Sequence, residues 1–239
     1  MNKPLQWLPD GQPYSPRYGD VYRSRTGLAQ PQQVFLAGCG LPAAWAGRPT
    51  WTVLETGFGL GLNFLTTWAA WRADPQRCAE LRYLAVEAHP AAAADLLRSV
   101  ETLSAADAAG VSLLATVRTL AEELAAAWEP LDAGVQTWVF EQGRVYLKLA
   151  VGEAQTALPL LGGPADAVYL DGFNPALNPA MWSEPTLAAV ARLCRPGSRL
   201  GSWCVAGAVR ARLQTLGFEV HKRTGVAPKW HRLEAIYRG

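Results

Sequence analysis

Residues 55–63 read ETGFGLGLN and follow directly on the apolar run Trp51–Leu54. A short run of aromatic and β-branched residues suits a buried strand, and the LNFLTTWAAW that follows is spaced like a helix. The glycines therefore fall in a strand-to-helix turn. One glycine would make such a turn. Three at alternating positions, Gly57, Gly59 and Gly61, each cost backbone entropy and need a further reason. Backbone without Cβ atoms lets a ligand approach closely, and the helix behind it offers unpaired N–H groups.

Strand-like and helix-like segments alternate from Trp51 onward, which predicts an α/β fold with a mostly parallel sheet. Strands are expected at 51–55, 81–87, 144–152, 166–172, 198–204, 218–223 and 232–238. Between them fall helical patterns: LNFLTTWAAW, an alanine-rich stretch from Pro90 to about Trp128, AQTALPLL, EPTLAAVARLC and VRARLQTLG, the last stopped by Gly217. The last two strands flank a single loop and predict a C-terminal antiparallel pair. Residues 1–50, with YGDVYRS and QQVFLAG, are expected to form an N-terminal hairpin or cap packed on a unit spanning 51–239.

The 239 residues, half of them hydrophobic, suffice for one large buried core. Apolar runs are interrupted well before the ~20 residues a membrane span needs, and MNKPLQWLPDG lacks a secretory apolar core, so a cytoplasmic protein with no membrane partner is expected. Cys39, Cys78, Cys194 and Cys204 form no CxxC pair and there are three histidines, so no metal site is expected. Net charge is +2, but unevenly spread: residues 192–239 hold ten Lys or Arg against two acids, leaving the rest of the chain at −6. Such polarity points to a polyanionic partner.

Four expected strands end in an acid or glycine: Glu55, Glu87, Gly152–Glu153 and Asp171–Gly172. In an open α/β sheet this edge is where ligands bind. GxGxG with an acid two residues before it differs from the GxGxxG of dinucleotide enzymes, and a carboxylate beside the turn suits a cationic ligand better than a pyrophosphate. The ExGxGxG string resembles motif I of the Rossmann-like class I methyltransferases, which implies S-adenosyl-L-methionine as cofactor. Glu55, Gly57, Gly59, Gly61, Asn63, Glu87, Gly152 and Glu153 are then the expected cofactor-binding residues, with Glu87 toward the ribose hydroxyls and Glu153 toward the adenine.

Together with this motif, the segment DVYRSRTGLAQPQQVFLAG (20–38), the hairpin FEQGRVYLKLAVGEA (140–154) and the string YLDGFNPALNPAMW (169–182) resemble the methyltransferase domain of the MnmC family over nearly the whole chain. That resemblance implies methylation of the exocyclic amine of 5-aminomethyluridine, usually 2-thiolated, at the tRNA wobble position. The anticodon stem-loop would be the partner. Many members fuse this domain to a flavin-dependent oxidase; none is expected after Gly239, so an oxidoreductase would act in trans. The chain departs from the family at Leu177, commonly Lys, at Ala29 or Gln30, commonly an acid, and in a less basic segment 225–233.

Asp171 is the expected catalytic residue, orienting the amine. Phe173, Pro175, Asn178 and Trp182 are expected to meet the substrate base, with Trp182 read equally well as a core anchor. Lys222, Arg223 and Lys229 are expected on the phosphates. Two other readings fit the sequence: a class I methyltransferase or aminopropyltransferase acting on another amine, and a non-catalytic RNA-binding relic.

Overall fold

The structure, a computed structural model, describes residues 4–23, 25, 27–105, 108–129, 133–225 and 230–239. Its centre is an eight-stranded sheet. In chain order the strands are β4 (Thr50–Thr56), β5 (Glu80–Glu87), β6 (Gly134–Phe140), β7 (Val145–Val151), β8 (Ala165–Leu170), β9 (Cys194–Ser202), β10 (Phe218–Thr224) and β11 (His231–Tyr237). They lie side by side as β10-β11-β9-β8-β4-β5-β7-β6. The five middle strands run parallel. β11 is antiparallel to both β9 and β10, as expected for the C-terminal pair.

At the opposite edge the hairpin expected at 140–154 has a first arm, 134–140, that was not among the expected strands. β6 pairs antiparallel with β7 from Gly134↔Val151 to Phe140↔Val145. Every second residue of β6 is exposed, so the segment lacks the continuous apolar run that marks the inner strands. The alanine-rich stretch also divides, into α2 (Ala93–Glu101) and α3 (Ala108–Ala127).

Alternate residues along the inner strands feed two cores. On one face Val53, Tyr83, Leu147 and Tyr169 pack with Phe64 and Trp68 of α1 (Leu62–Ala73) and with α2 and α3. On the other, Leu54, Val86 and Val168 pack with α4 (Ala154–Ala157), α5 (Glu184–Arg192) and α6 (Gly207–Thr215). α5 is started by Ser183, whose Oγ accepts from Thr186 N, and by a proline in its first turn. The result is a three-layer α/β/α sandwich.

The N-terminal residues form a small antiparallel sheet of β1 (Gln6–Trp7), β2 (Pro13–Ser15) and β3 (Asp20–Val21). QQVFL is helical rather than extended: Pro31–Leu36 makes a π-helical turn with Val34, Phe35 and Leu36 buried. It lies hard against β9, where a Cβ on Gly201 would come within 2.5 Å of Val34 O. No described helix is long and apolar enough to cross a membrane.

Candidate active site

The glycine turn is pinned on both sides before any ligand is considered. Gly57 N and Phe58 N both donate to Val86 O of β5, at 3.1 and 2.9 Å. Toward β8, Thr56 Oγ1 donates to Asp171 O at 2.8 Å and accepts from Asp171 N at 3.0 Å. The ends of β4, β5 and β8 are thereby fixed relative to one another. Gly57 and Gly59 have φ of +87° and +56° and line a cavity on this edge. Gly61 caps α1, and a Cβ there would meet the Phe58 ring at 3.0 Å; it is not itself among the residues that line the cavity.

Glu87 closes the second strand on the cavity wall. Its Oε2 accepts from Gly59 N at 2.8 Å and its Oε1 from His89 N at 2.9 Å. Gly152 and Glu153, beyond β7, line the same cavity, as do Asp171, Phe173 and Asn178 beyond β8. An adjoining hollow shares Tyr22, Gly57, Gly59 and Asp171 with it and reaches Asn63 at the start of α1. Asp171 thus stands where the two meet. Carboxylates at three strand ends give the wall an acidic character that suits a cationic ligand. The bare backbone of Gly57 and Gly59 leaves room for a ligand to come close to the turn, which fits the cofactor that the motif implies.

Glu55 lies beneath this wall rather than on it, 1% exposed. Asn63 Nδ2 donates to Glu55 Oε1 at 2.6 Å and to Asp171 Oδ2 at 2.9 Å, so one amide bridges two carboxyl groups. Tyr83 OH donates to Glu55 Oε2 at 2.9 Å. Burial, and then the nearby Asp171 charge, push the Glu55 carboxyl well above its ordinary range. Burial and Glu55 raise the Tyr83 phenol in turn. Asp171 Oδ1 accepts from Gly172 N and from Trp203 Nε1, each at 2.8 Å.

The expected substrate residues separate. Phe173 is stacked on Tyr18 with ring centroids 4.7 Å apart and meets Tyr22 edge-on at 5.0 Å. Burial and then the charge of Glu87 push the Tyr22 phenol up to about 12. Asp20 Oδ2 accepts from Asn174 N at 2.9 Å and ties the N-terminal segment to the same loop. Pro175 is half-buried in that loop and stands off the cavity wall. Trp182 does not offer its face to a base: it is 1% exposed, and its Nε1 donates to Phe173 O at 2.7 Å. A large apolar ring with its one donor satisfied inside the core is an anchor for the loop.

Lys222 and Arg223 sit on β10, the edge strand, where Arg223 pairs with Glu234 at 3.5 Å. The register places them near the ligand edge, since Lys222 opposes Leu233 and Leu233 opposes Ser202 at the end of β9. Lys229 lies outside the described residues. Tyr18, Tyr22 and Trp203 are site residues that the motifs did not indicate; YGDVYRS pointed to a cap, and nothing in SWC pointed toward Asp171. Among the described residues, no group of three or more His, Cys, Asp or Glu could hold a metal ion.

Comparison with known proteins bears on the family and the fold. Over 237 residues the chain is 52% identical to the tRNA 5-methylaminomethyl-2-thiouridine biosynthesis bifunctional protein MnmC of Paracidovorax citrulli, covering 99% of this chain and 36% of that protein. It is 50% identical over 238 residues to the protein of the same name from Delftia acidovorans, covering 99% and 35%. The chain therefore spans about a third of the length of these relatives. The crystal structure of MNMC2 from Aquifex aeolicus shares the fold, with a TM-score of 0.72 at 20% identity over 99% of this chain and 70% of that one. A family model described as S-adenosyl-L-methionine-dependent methyltransferase matches residues 115–238. The chain belongs to that methyltransferase family, and its cofactor is S-adenosyl-L-methionine.

Proposed function

We propose that the protein methylates the exocyclic amine of 5-aminomethyluridine, with or without a 2-thio group, at the wobble position of tRNA in the cytoplasm. The observation that carries this reading is the place of Asp171, on the wall common to the two hollows that meet at Gly57 and Gly59 and two residues from Phe173. The names of the relatives support the choice of substrate.

Glu87 and Glu153 would hold the nucleoside end of the cofactor, and Gly57 and Gly59 its methionine end. When bound, S-adenosyl-L-methionine supplies a methyl group on a sulfonium sulfur. Asp171 accepts an N–H of the substrate amine and turns its lone pair toward the shared wall; positioning of this kind lowers the barrier of a displacement without covalent help from the protein. The amine must arrive neutral, and Asp171 can take up the proton it sheds once alkylated. Phe173, held between Tyr18 and Tyr22, forms the apolar side of the opening. The anticodon stem-loop would approach over this edge, with Lys222 and Arg223 toward its phosphates, and an oxidoreductase activity outside these residues would prepare the aminomethyl group.

The test is incubation of the protein and S-adenosyl-L-methionine with tRNA carrying 5-aminomethyl-2-thiouridine, followed by nucleoside mass spectrometry. Conversion to the methylaminomethyl nucleoside is the expected result. Donor binding without conversion would leave a methyltransferase with another substrate.

A further inference from the structure

Trp203 follows directly on β9 and turns its indole back across the end of β8. Its Nε1 donates to Asp171 Oδ1 at 2.8 Å. Trp182 holds the ring edge-on, with centroids 5.8 Å apart and planes at 79°, and Trp203 packs against both halves of the core. Since Trp182 donates to Phe173 O, the two indoles grip residues 171 and 173 of one short loop. The backbone on either side is tied as well: Ser202 Oγ donates to Leu170 O at 2.7 Å and accepts from Cys204 N at 3.1 Å. The strand that carries the indole and the strand that carries the carboxylate are thus locked next to each other.

The groups that share this corner are mostly acids and phenols: Glu55 from β4, Glu87 and Tyr83 from β5, and Tyr18, Tyr22 and Glu153 around the opening, with Arg23 bordering the adjoining hollow. Repulsion from the carboxylates favours a protonated Asp171, and donors on its oxygens favour the ionised form. One donor, Gly172 N, belongs to the local turn, and another, Asn63 Nδ2, is shared with Glu55. Trp203 brings a donor from a separate strand, at a fixed angle. We propose that Trp203 is a positioning residue for methyl transfer, its indole N–H holding the Asp171 carboxylate ionised and oriented toward the acceptor amine. The proposal rests on the reading of Asp171 as the group that meets that amine.

Trp203→Phe keeps the packing on Trp182 and deletes the N–H. The expected result on aminomethyl-tRNA is a fall in kcat of about tenfold, the size of one hydrogen bond. KM and the calorimetric Kd for S-adenosyl-L-methionine should stay within about twofold, since the indole meets Asp171 and not the donor. An unchanged kcat, a change confined to KM, or a loss of donor affinity would each overturn the proposal. A readout independent of turnover is the indole region of the nitrogen–proton NMR spectrum: one indole resonance of the wild type should shift in Asp171→Asn and titrate with the carboxylate. A spectrum with no such resonance overturns the proposal even if Trp203→Phe does not fold. Should wild type methylate no aminomethyl-tRNA, the functional reading fails while the NMR result still decides whether Trp203 and Asp171 are bonded.

Discussion

Gly59 N donates to Glu87 Oε2 at 2.8 Å, so the turn that ends β4 and the acid that ends β5 act as one unit. The turn is not free to move aside for a side chain. In Gly59→Val, a β-branched residue would sit at φ +56° with its Cβ 3.4 Å from the Tyr22 ring. We expect a stability loss of about 1–2 kcal/mol from the backbone alone and donor affinity weakened beyond reach of calorimetry. Wild-type affinity in a folded variant would place the cofactor elsewhere.

Asp171→Ala removes the acceptor used by Gly172 N, Trp203 Nε1 and Asn63 Nδ2. Partly buried donors are left short of a partner, so stability should fall by about 1–3 kcal/mol. Turnover on aminomethyl-tRNA should fall by about 10²–10⁴, and donor affinity should change far less. Single-turnover kinetics beside calorimetry separates the two effects. Near-normal turnover would reduce Asp171 to a structural group.

Glu55 gives a pH signature of unusual sign. Its folded-state carboxyl is raised, by burial first and the Asp171 charge second. Between the ordinary carboxyl range and that raised value the folded protein binds more protons than the unfolded chain, so stability from this group declines as pH rises through the window. Glu55→Gln cannot ionise. Its Tm should therefore exceed that of wild type at pH 8, and the two should converge at about pH 4, near the unfolded value. Thermal melts across this range check the sign; a gap that widens toward low pH would contradict it.

Reversing the charges at Lys222 and Arg223 should weaken tRNA binding across substrate species and flatten the salt dependence by about 0.7–0.9 for each phosphate that is no longer neutralised. Arg223 already faces Glu234, so Lys222 should carry the larger share. Donor affinity is the internal control. Identical salt slopes for variant and wild type would send the RNA to another face.

Four of the five parallel strands were legible as largely apolar runs with an acid or glycine at or just past their ends, and the same ends announced the cavity; β9, CRPGSRLGS, has neither mark and was placed by the alternation of elements. β6 was not legible, because an edge strand with alternate residues in water has no such run. Within the site, residue type could place Asp171, Glu87 and the glycines on one edge but could not rank depth. Glu55 and Glu87 both end strands, yet Tyr83 and Asn63 cover the first while the second meets the turn. Trp182 and Trp203 show the same limit. Both are tryptophans near the loop that follows β8, and only three-dimensional packing tells that one donates to a backbone carbonyl and the other to the carboxylate.

The packing of the 31–36 turn on β9 bears on where this protein can be cut. Gly201 lies so close to Val34 O that the two surfaces meet without a side chain between them, and Phe35 and Trp45, both fully buried, belong to the same cluster as Val53 and Tyr169. A fragment starting at Thr50 would keep every strand of the large sheet and leave one of its faces bare beside β8 and β9. Such a fragment is therefore expected to melt below the whole chain, and a fusion or split-protein design should carry residues 31–45 with it.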